Sequence, residues 1–126
     1  MLYYKEEEEE MIEVAIREYL ENNLVNIPVV MEYPKNPAKK FILLQLADGG
    51  QVNHIDAATF FVTVYADSLY EAAELKDKVK SFLLDATSLS GITKASLGQE
   101  QADTDSANHV YKYNLTFNFY YYREET

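Results

Sequence analysis

Thr59-Phe60-Phe61-Val62-Thr63-Val64-Tyr65 is followed, after Ala66, by Asp67-Ser68-Leu69-Tyr70-Glu71-Ala72-Ala73-Glu74-Leu75. The first run is β-branched and aromatic with a period of two, as a half-buried strand requires. In the second the apolar residues take up helical spacing, and the change of period marks a strand-to-helix junction. Ser68 with Glu71 three residues later forms a capping box, in which each side chain can satisfy a backbone donor at the helix start. The helix is expected from about Leu69 to Asp85, with Leu69, Ala72, Leu75, Val79, Phe82, Leu83 and Ala86 as its apolar stripe. Glu74 and Lys78 are spaced for an i,i+4 ion pair.

Upstream of the junction, the strand extends back to about Asn53. Ala58, Phe60, Val62 and Val64 form the face that should meet the helices, while Thr59, Phe61, Thr63 and Tyr65 form a mixed face. Asp48-Gly49-Gly50-Gln51 reads as the turn before it, since two glycines adopt positive φ at little cost. Phe41-Ile42-Leu43-Leu44-Gln45-Leu46 is apolar on nearly both faces and is expected to be a central strand. Ile27 to Tyr33 is a short strand candidate, closed by a stiff connection containing Pro34 and Pro37. Before it, Ile12, Ala15, Ile16, Tyr19 and Leu20 form one stripe of a first helix expected from Glu6 to about Asn22, with Asn22-Asn23 as the stop.

Downstream, Ile92 to Glu100 is a further strand, and the small polar residues Gln101 to Asn108 are expected to be a mobile connection. In the last strand Tyr111, Tyr113, Leu115, Phe117 and Phe119 alternate with Lys112, Asn114, Thr116 and Asn118. Seven of the 17 aromatic residues fall between positions 110 and 122, so this strand should be a pillar of the core. Its end, Phe119-Tyr120-Tyr121-Tyr122, is aromatic on both faces. It reads either as a strand end tucked beneath a helix or as an interface, where tyrosine is enriched. The fold class is therefore α+β: a mostly antiparallel sheet of four to five strands, two helices on one face, in the order α-β-β-β-α-β-β.

Length and composition narrow the function. At 126 residues the chain is expected to be one domain, able to bury roughly two thirds of its unfolded surface. It contains no cysteine, which excludes disulfides, thiolate zinc sites and a cysteine nucleophile. No apolar run approaches the roughly 18 residues of a membrane helix, and Met1-Leu2-Tyr3-Tyr4-Lys5-Glu6 lacks the order of a secretory signal. The net charge is −10. Residues 1–24 hold eight acids and two bases, so six of those ten charges lie there, in a Glu-rich helix start that suits the macrodipole. An acidic chain repels phosphate backbones, and Lys39-Lys40 is too small a basic spot to reverse this.

Motifs for chemistry are not apparent. His54 and Asp56 share a strand face, but two ligands do not make a metal site. Asp103-Thr104-Asp105 opens like a calcium loop, yet Asn108 and Asn114 stand where that loop needs glycine and glutamate, which leaves a polar hairpin tip. No nucleophile elbow, phosphate loop or dinucleotide fingerprint appears, and Asp48-Gly49-Gly50 does not lead into a helix. No enzyme, cofactor or metal is expected. The candidate interaction surface comprises the stretch with Asp48, Gly49, Gly50, Gln51, Asn53 and His54, the stretch with Asp103, Thr104 and Asp105, and the aromatic end with Tyr120 and Tyr122. Both stretches are expected to be mobile in a monomer and to order on assembly.

Three features carry a resemblance. They are the element order, the run Asn53-His54-Ile55-Asp56-Ala57-Ala58-Thr59-Phe60 continuing into Tyr65 to Leu75, and the ending Val110-Tyr111-Lys112-Tyr113-Asn114-Leu115-Thr116-Phe117. Over about residues 10–122 the chain resembles the tail-terminator and tail-completion proteins of long-tailed bacteriophages and prophages, a group that includes minor capsid and head–tail joining proteins. The resemblance implies a structural virion component, assembled in the bacterial cytoplasm. It implies a ring of identical subunits, commonly a hexamer, at the head-proximal end of the tail tube. Its partners would be the major tail tube protein and a head-completion protein, with no membrane and no sequence-specific nucleic acid. An acidic bore would let DNA slide through without sticking. The alternatives are a head-side neck or stopper protein of the same connector, or a ligand-binding or regulatory α+β domain unrelated to phages.

Overall fold

A computed structural model describes residues 11–52, 55–89 and 91–122. The strand-to-helix junction forms as its residues dictate. Ser68 has extended backbone angles, and its Oγ accepts a hydrogen bond from the Glu71 N–H at 3.1 Å. Glu71 does not return the bond. Its carboxylate faces Lys40 Nζ, 3.9 Å away, so half of the expected capping box is replaced by an ion pair. Ser68→Ala should cost about 1 kcal/mol, read from urea denaturation, because one orphan donor of the first turn then loses its acceptor.

The elements in chain order are α1 (Ile12–Asn23), β1 (Val29–Val30), β2 (Phe41–Val52), β3 (Ile55–Ala66), α2 (Leu69–Leu84), β4 (Ile92–Ala102) and β5 (Tyr111–Tyr121). Single 3-10 turns at Ala86–Ser88 and Ser106–Asn108 flank β4. The described strands form one sheet in the order β1-β2-β3-β5-β4. Among the described strands only the β1–β2 pair is parallel. The fold is α+β with a five-stranded mixed sheet and two helices, as the hydrophobic periods require.

Both helices pack on the face that carries Phe60. Ile16 and Leu20 from α1, and Ala72, Leu75, Val79 and Leu83 from α2, are buried. The sheet supplies Ile42, Leu44, Ala58, Phe60, Val62, Val64, Leu115, Phe117 and Phe119 to the same core. Phe119 meets Phe60 edge-on at 5.7 Å and lies nearly parallel to Phe117 at 6.0 Å. Tyr19 joins the helices, its hydroxyl donating to the Phe82 carbonyl at 2.8 Å.

Several boundaries differ from expectation. The first helix opens at Ile12, not Glu6, with Met11 extended before it, and Glu6–Glu10 lie outside the described residues. Ile12 is the first residue of the stripe that packs on the core, so tertiary burial begins the helix there. The left-handed residue after α1 is Asn26, while Asn23 uses its Nδ2 to satisfy the Tyr19 carbonyl. β1 shrinks to two residues, because the chain bends at Met31 and carries Tyr33 onto the opposite sheet face. There Tyr33 meets Phe41 and Tyr65 edge-on, and those two rings stack at 4.3 Å. This trio explains why Phe41 is buried on a face that no described helix covers.

The largest correction concerns Asp48-Gly49-Gly50-Gln51, which is strand and not turn. β2 pairs with β3 from Phe41 opposite Tyr65 to Val52 opposite Ile55, and residues 53–54 between them lie outside the described residues. A bulge at Ala47 absorbs the single register shift. Gly49 and Gly50 take ordinary negative φ, and among the described residues positive φ at glycine occurs only at Gly91. β2 is also less central than its composition suggests, since the middle of the sheet is β3. Leu69 is exposed, and the expected Glu74–Lys78 pair does not form. Among the described residues, the ion pairs of α2 run instead from Lys76 and Lys80 to Glu100, from Lys76 to Asp77 and from Glu71 to Lys40.

Candidate interaction surface

The strand registers sort the candidate residues into two groups. Gly50 lies opposite Ala57, Ala57 opposite Tyr120, and Tyr120 opposite Lys94, so these four form one row across the sheet. Asp48, Thr59, Asn118 and Ser96 form the next row on the same face, where the Thr59 hydroxyl donates to Asn118 Oδ1 at 2.7 Å. Asp48, Gly49, Gly50, Gln51 and Tyr120 thus meet at one end of the sheet. Tyr122 is there too, 60% exposed, with its N–H donating to the Gly91 carbonyl at 2.8 Å. Asn53 and His54 lie outside the described residues.

The second group stands at the other end. β3 carries the chain from the Asp56 row to the Ala66 row, a span of about 30 Å at the usual rise of a strand. Beyond it, Asp103, Thr104 and Asp105 form the tip between β4 and β5. The tip is held by hydrogen bonds of its own. Asp105 pairs with Val110 through both backbone bonds, and its carboxylate accepts from the Asn108 backbone N–H and from Asn108 Nδ2. The Asn108 side chain holds the Asp105 carboxyl below the usual carboxylate range. His109 turns the chain in the left-handed region. Asp103 accepts from Asn114 Nδ2 and lies 3.5 Å from Lys112 Nζ.

The aromatic end resolves into separate roles. Phe119 is core, Tyr121 packs against the core, and Tyr120 lies on the opposite face beneath Lys94, whose Nζ is 5.8 Å from the ring centroid. No described helix lies over that opposite face. It carries Phe61, 51% exposed, among the polar residues Gln45, Thr59, Thr116 and Asn118.

Sequence reasoning missed a buried cation. Lys76 is 8% exposed on the inner flank of α2. Its Nζ lies 2.9 Å from Glu100 Oε2, 2.8 Å from Asp77 Oδ1 and 4.9 Å from the centre of the Tyr113 ring. Lys80 Nζ takes the other Glu100 oxygen at 2.8 Å. Hydrogen bonds from Asp77 and Glu100 hold the Lys76 ammonium above the usual lysine range. Those from Lys76 and Lys80 hold Glu100 below the usual glutamate range. The cluster ties the β4–β5 hairpin to α2. Its signal was present, since Lys76 sits four residues after Ala72 and three before Val79, inside the apolar stripe.

Among the described residues, no three of His, Asp and Glu lie close enough together to hold a metal ion. No described helix is long and apolar enough to cross a membrane. No protein-family model matches the chain, and no curated protein matches it.

Proposed function

We propose that this protein is a structural subunit of a phage or prophage tail, a tail terminator or tail-completion protein. It acts by forming a ring of identical copies at the head-proximal end of the tail tube and joining tail to head. The observation that carries this reading is the order α-β-β-β-α-β-β, in which two long hairpins share one sheet and leave its borders open. The runs Asn53 to Phe60, Tyr65 to Leu75 and Val110 to Phe117, which resemble that family, contribute to β3, to the junction and to β5, which neighbours β3 in the sheet. The net charge of −10 per copy suits a ring through which DNA passes without binding. Contacts to the tube protein and to the head-completion protein would come from the two ends of the sheet, where the hairpin tips lie.

Deleting the gene from an inducible phage or prophage that carries it tests the reading. Electron microscopy of the lysate should show tail tubes of unregulated length and heads without tails. Tails of normal length joined to heads would overturn it.

A further inference from the structure

Among the described residues the sheet has two long open borders. Among the described residues, β2 is paired on its outer side only at Ile42 and Leu43, by Val29 and Val30 of β1 respectively. From Leu44 to Val52 no described strand covers that side. At the opposite border β4 pairs with β5 on one side and, among the described residues, with nothing on the other. Uncovered borders present rows of backbone donors and acceptors to any strand of suitable direction and length.

Direction, polarity of charge and apolar exposure all select a partner. β2 is antiparallel to β3, β3 to β5, and β5 to β4, so β4 runs opposite to β2. A second copy placed alongside in the same orientation therefore brings its β2 antiparallel to β4 of the first. With rows aligned, Leu46 of one copy meets Leu97 of the next, because both belong to the Phe60–Phe117 row on the helix-bearing face. Leu46 is 42% exposed in the single chain, and this contact covers it. On the other face Asp48 lies opposite Ser96 and diagonal to Lys94, within reach of a long side chain. Among the described residues no cation pairs with Asp48 and no carboxylate with Lys94.

Bulges interrupt both borders, at Ala47 in β2 and at Thr93 and Gly98 in β4. Gly98 is held close to its neighbour, for a Cβ there would come 3.1 Å from Asn118 Nδ2. The regular stretch Lys94–Leu97 between the β4 bulges is the part that faces Leu46 to Gly50, so the ladder is short. Pairing either border with its own copy would leave the second border bare. Head-to-tail pairing covers both and joins opposite charges.

We propose that the open border of β2 receives the open border of β4 from a second copy of this chain, antiparallel, linking copies head to tail. A heterologous contact of this kind closes into a ring when its rotation permits. Closure rests on the assembly reading above, whereas the border contact rests on the sheet itself.

The chain has no cysteine, so introduced thiols report cleanly. Full-length Asp48→Cys and Ser96→Cys variants, mixed and gently oxidised, should give a reducible dimer that neither gives alone. The double variant should give a ladder of multimers. Lys94→Glu should weaken self-association, followed by light scattering over a concentration series, by about tenfold. Adding Asp48→Lys to Lys94→Glu should restore it. Three results would each overturn the proposal: dimers from either single variant alone, no mixed dimer, or a wild-type protein that stays monomeric to about millimolar concentration. Rings seen on tail tubes without the mixed crosslink would remove the border contact and leave the terminator reading standing. A crosslink ladder from a protein whose gene deletion leaves tails normal would do the reverse.

Discussion

Phe117→Ala should lower the unfolding free energy by about 3–5 kcal/mol, the range for truncating a buried phenylalanine. Phe117 has no exposed surface. It lies on β5, which is paired on both sides, by β3 and by β4, so the backbone around it cannot collapse inward. Its ring packs beside Phe119, which in turn meets Phe60, so a cavity at one ring loosens the contacts of all three. In urea the midpoint should fall without a change of slope, and the melting temperature should drop by more than about 10 °C. Phe61→Ala removes the same ring one strand away but from the open face, where 51% of the residue is exposed. Its cost should stay below about 1 kcal/mol. Equal losses in the two variants would mean that the helices do not cover the face assigned to them.

Glu100→Gln should destabilise the protein by about 1–3 kcal/mol, because it leaves the buried Lys76 ammonium with Asp77 as its one remaining carboxylate. The loss stays short of that for a fully buried pair, since Glu100 and Lys80 are partly exposed and Asp77 remains. Adding Lys76→Met to Glu100→Gln should recover part of it, as the replacement removes the charge along with its need for a partner.

The same cluster makes a prediction about pH. Lys76 and Lys80 hold the folded-state Glu100 carboxyl below its ordinary value. As acid is added, the unfolded chain therefore takes up this proton first. The contribution of Glu100 is complete above about pH 4.3, the ordinary glutamate value, and is lost as pH falls through the lower folded value. Lys76 works in the opposite sense, being raised in the folded state by Asp77 and Glu100. Its contribution is complete below the ordinary lysine value and disappears as pH rises through the higher folded one. Urea midpoints measured across acid pH should fall less steeply in Glu100→Gln than in the wild type. Parallel curves would show that this carboxyl carries no folding-linked proton.

The hairpin formed by β2 and β3 shows where sequence reading stops. Gly49 and Gly50 carry the strongest local signal for a turn in the chain, yet both are extended strand. Glycine tolerates strand angles as readily as turn angles, so the point of reversal was set by how far β3 could extend its pairing. Lys76, in contrast, could have been found from its place in the stripe of α2. Leu46 and Lys94 could not. Their significance depends on which strands are neighbours and in what register, and local periodicity carries neither.

By itself, the sequence determined the class of structure: α2 with its Ser68 cap, the alternation that turns Leu115, Phe117 and Phe119 inward, and the order of elements along the chain. These follow from local backbone preferences and from the two hydrophobic periods, each contained within about a dozen residues. Only the tertiary structure decided the sheet order β1-β2-β3-β5-β4, the Lys76–Glu100 tie between helix and hairpin, and the borders left open at β2 and β4. Those features depend on contacts between segments far apart in the chain, where cross-strand pairing and shared burial choose among arrangements that local preference leaves equal.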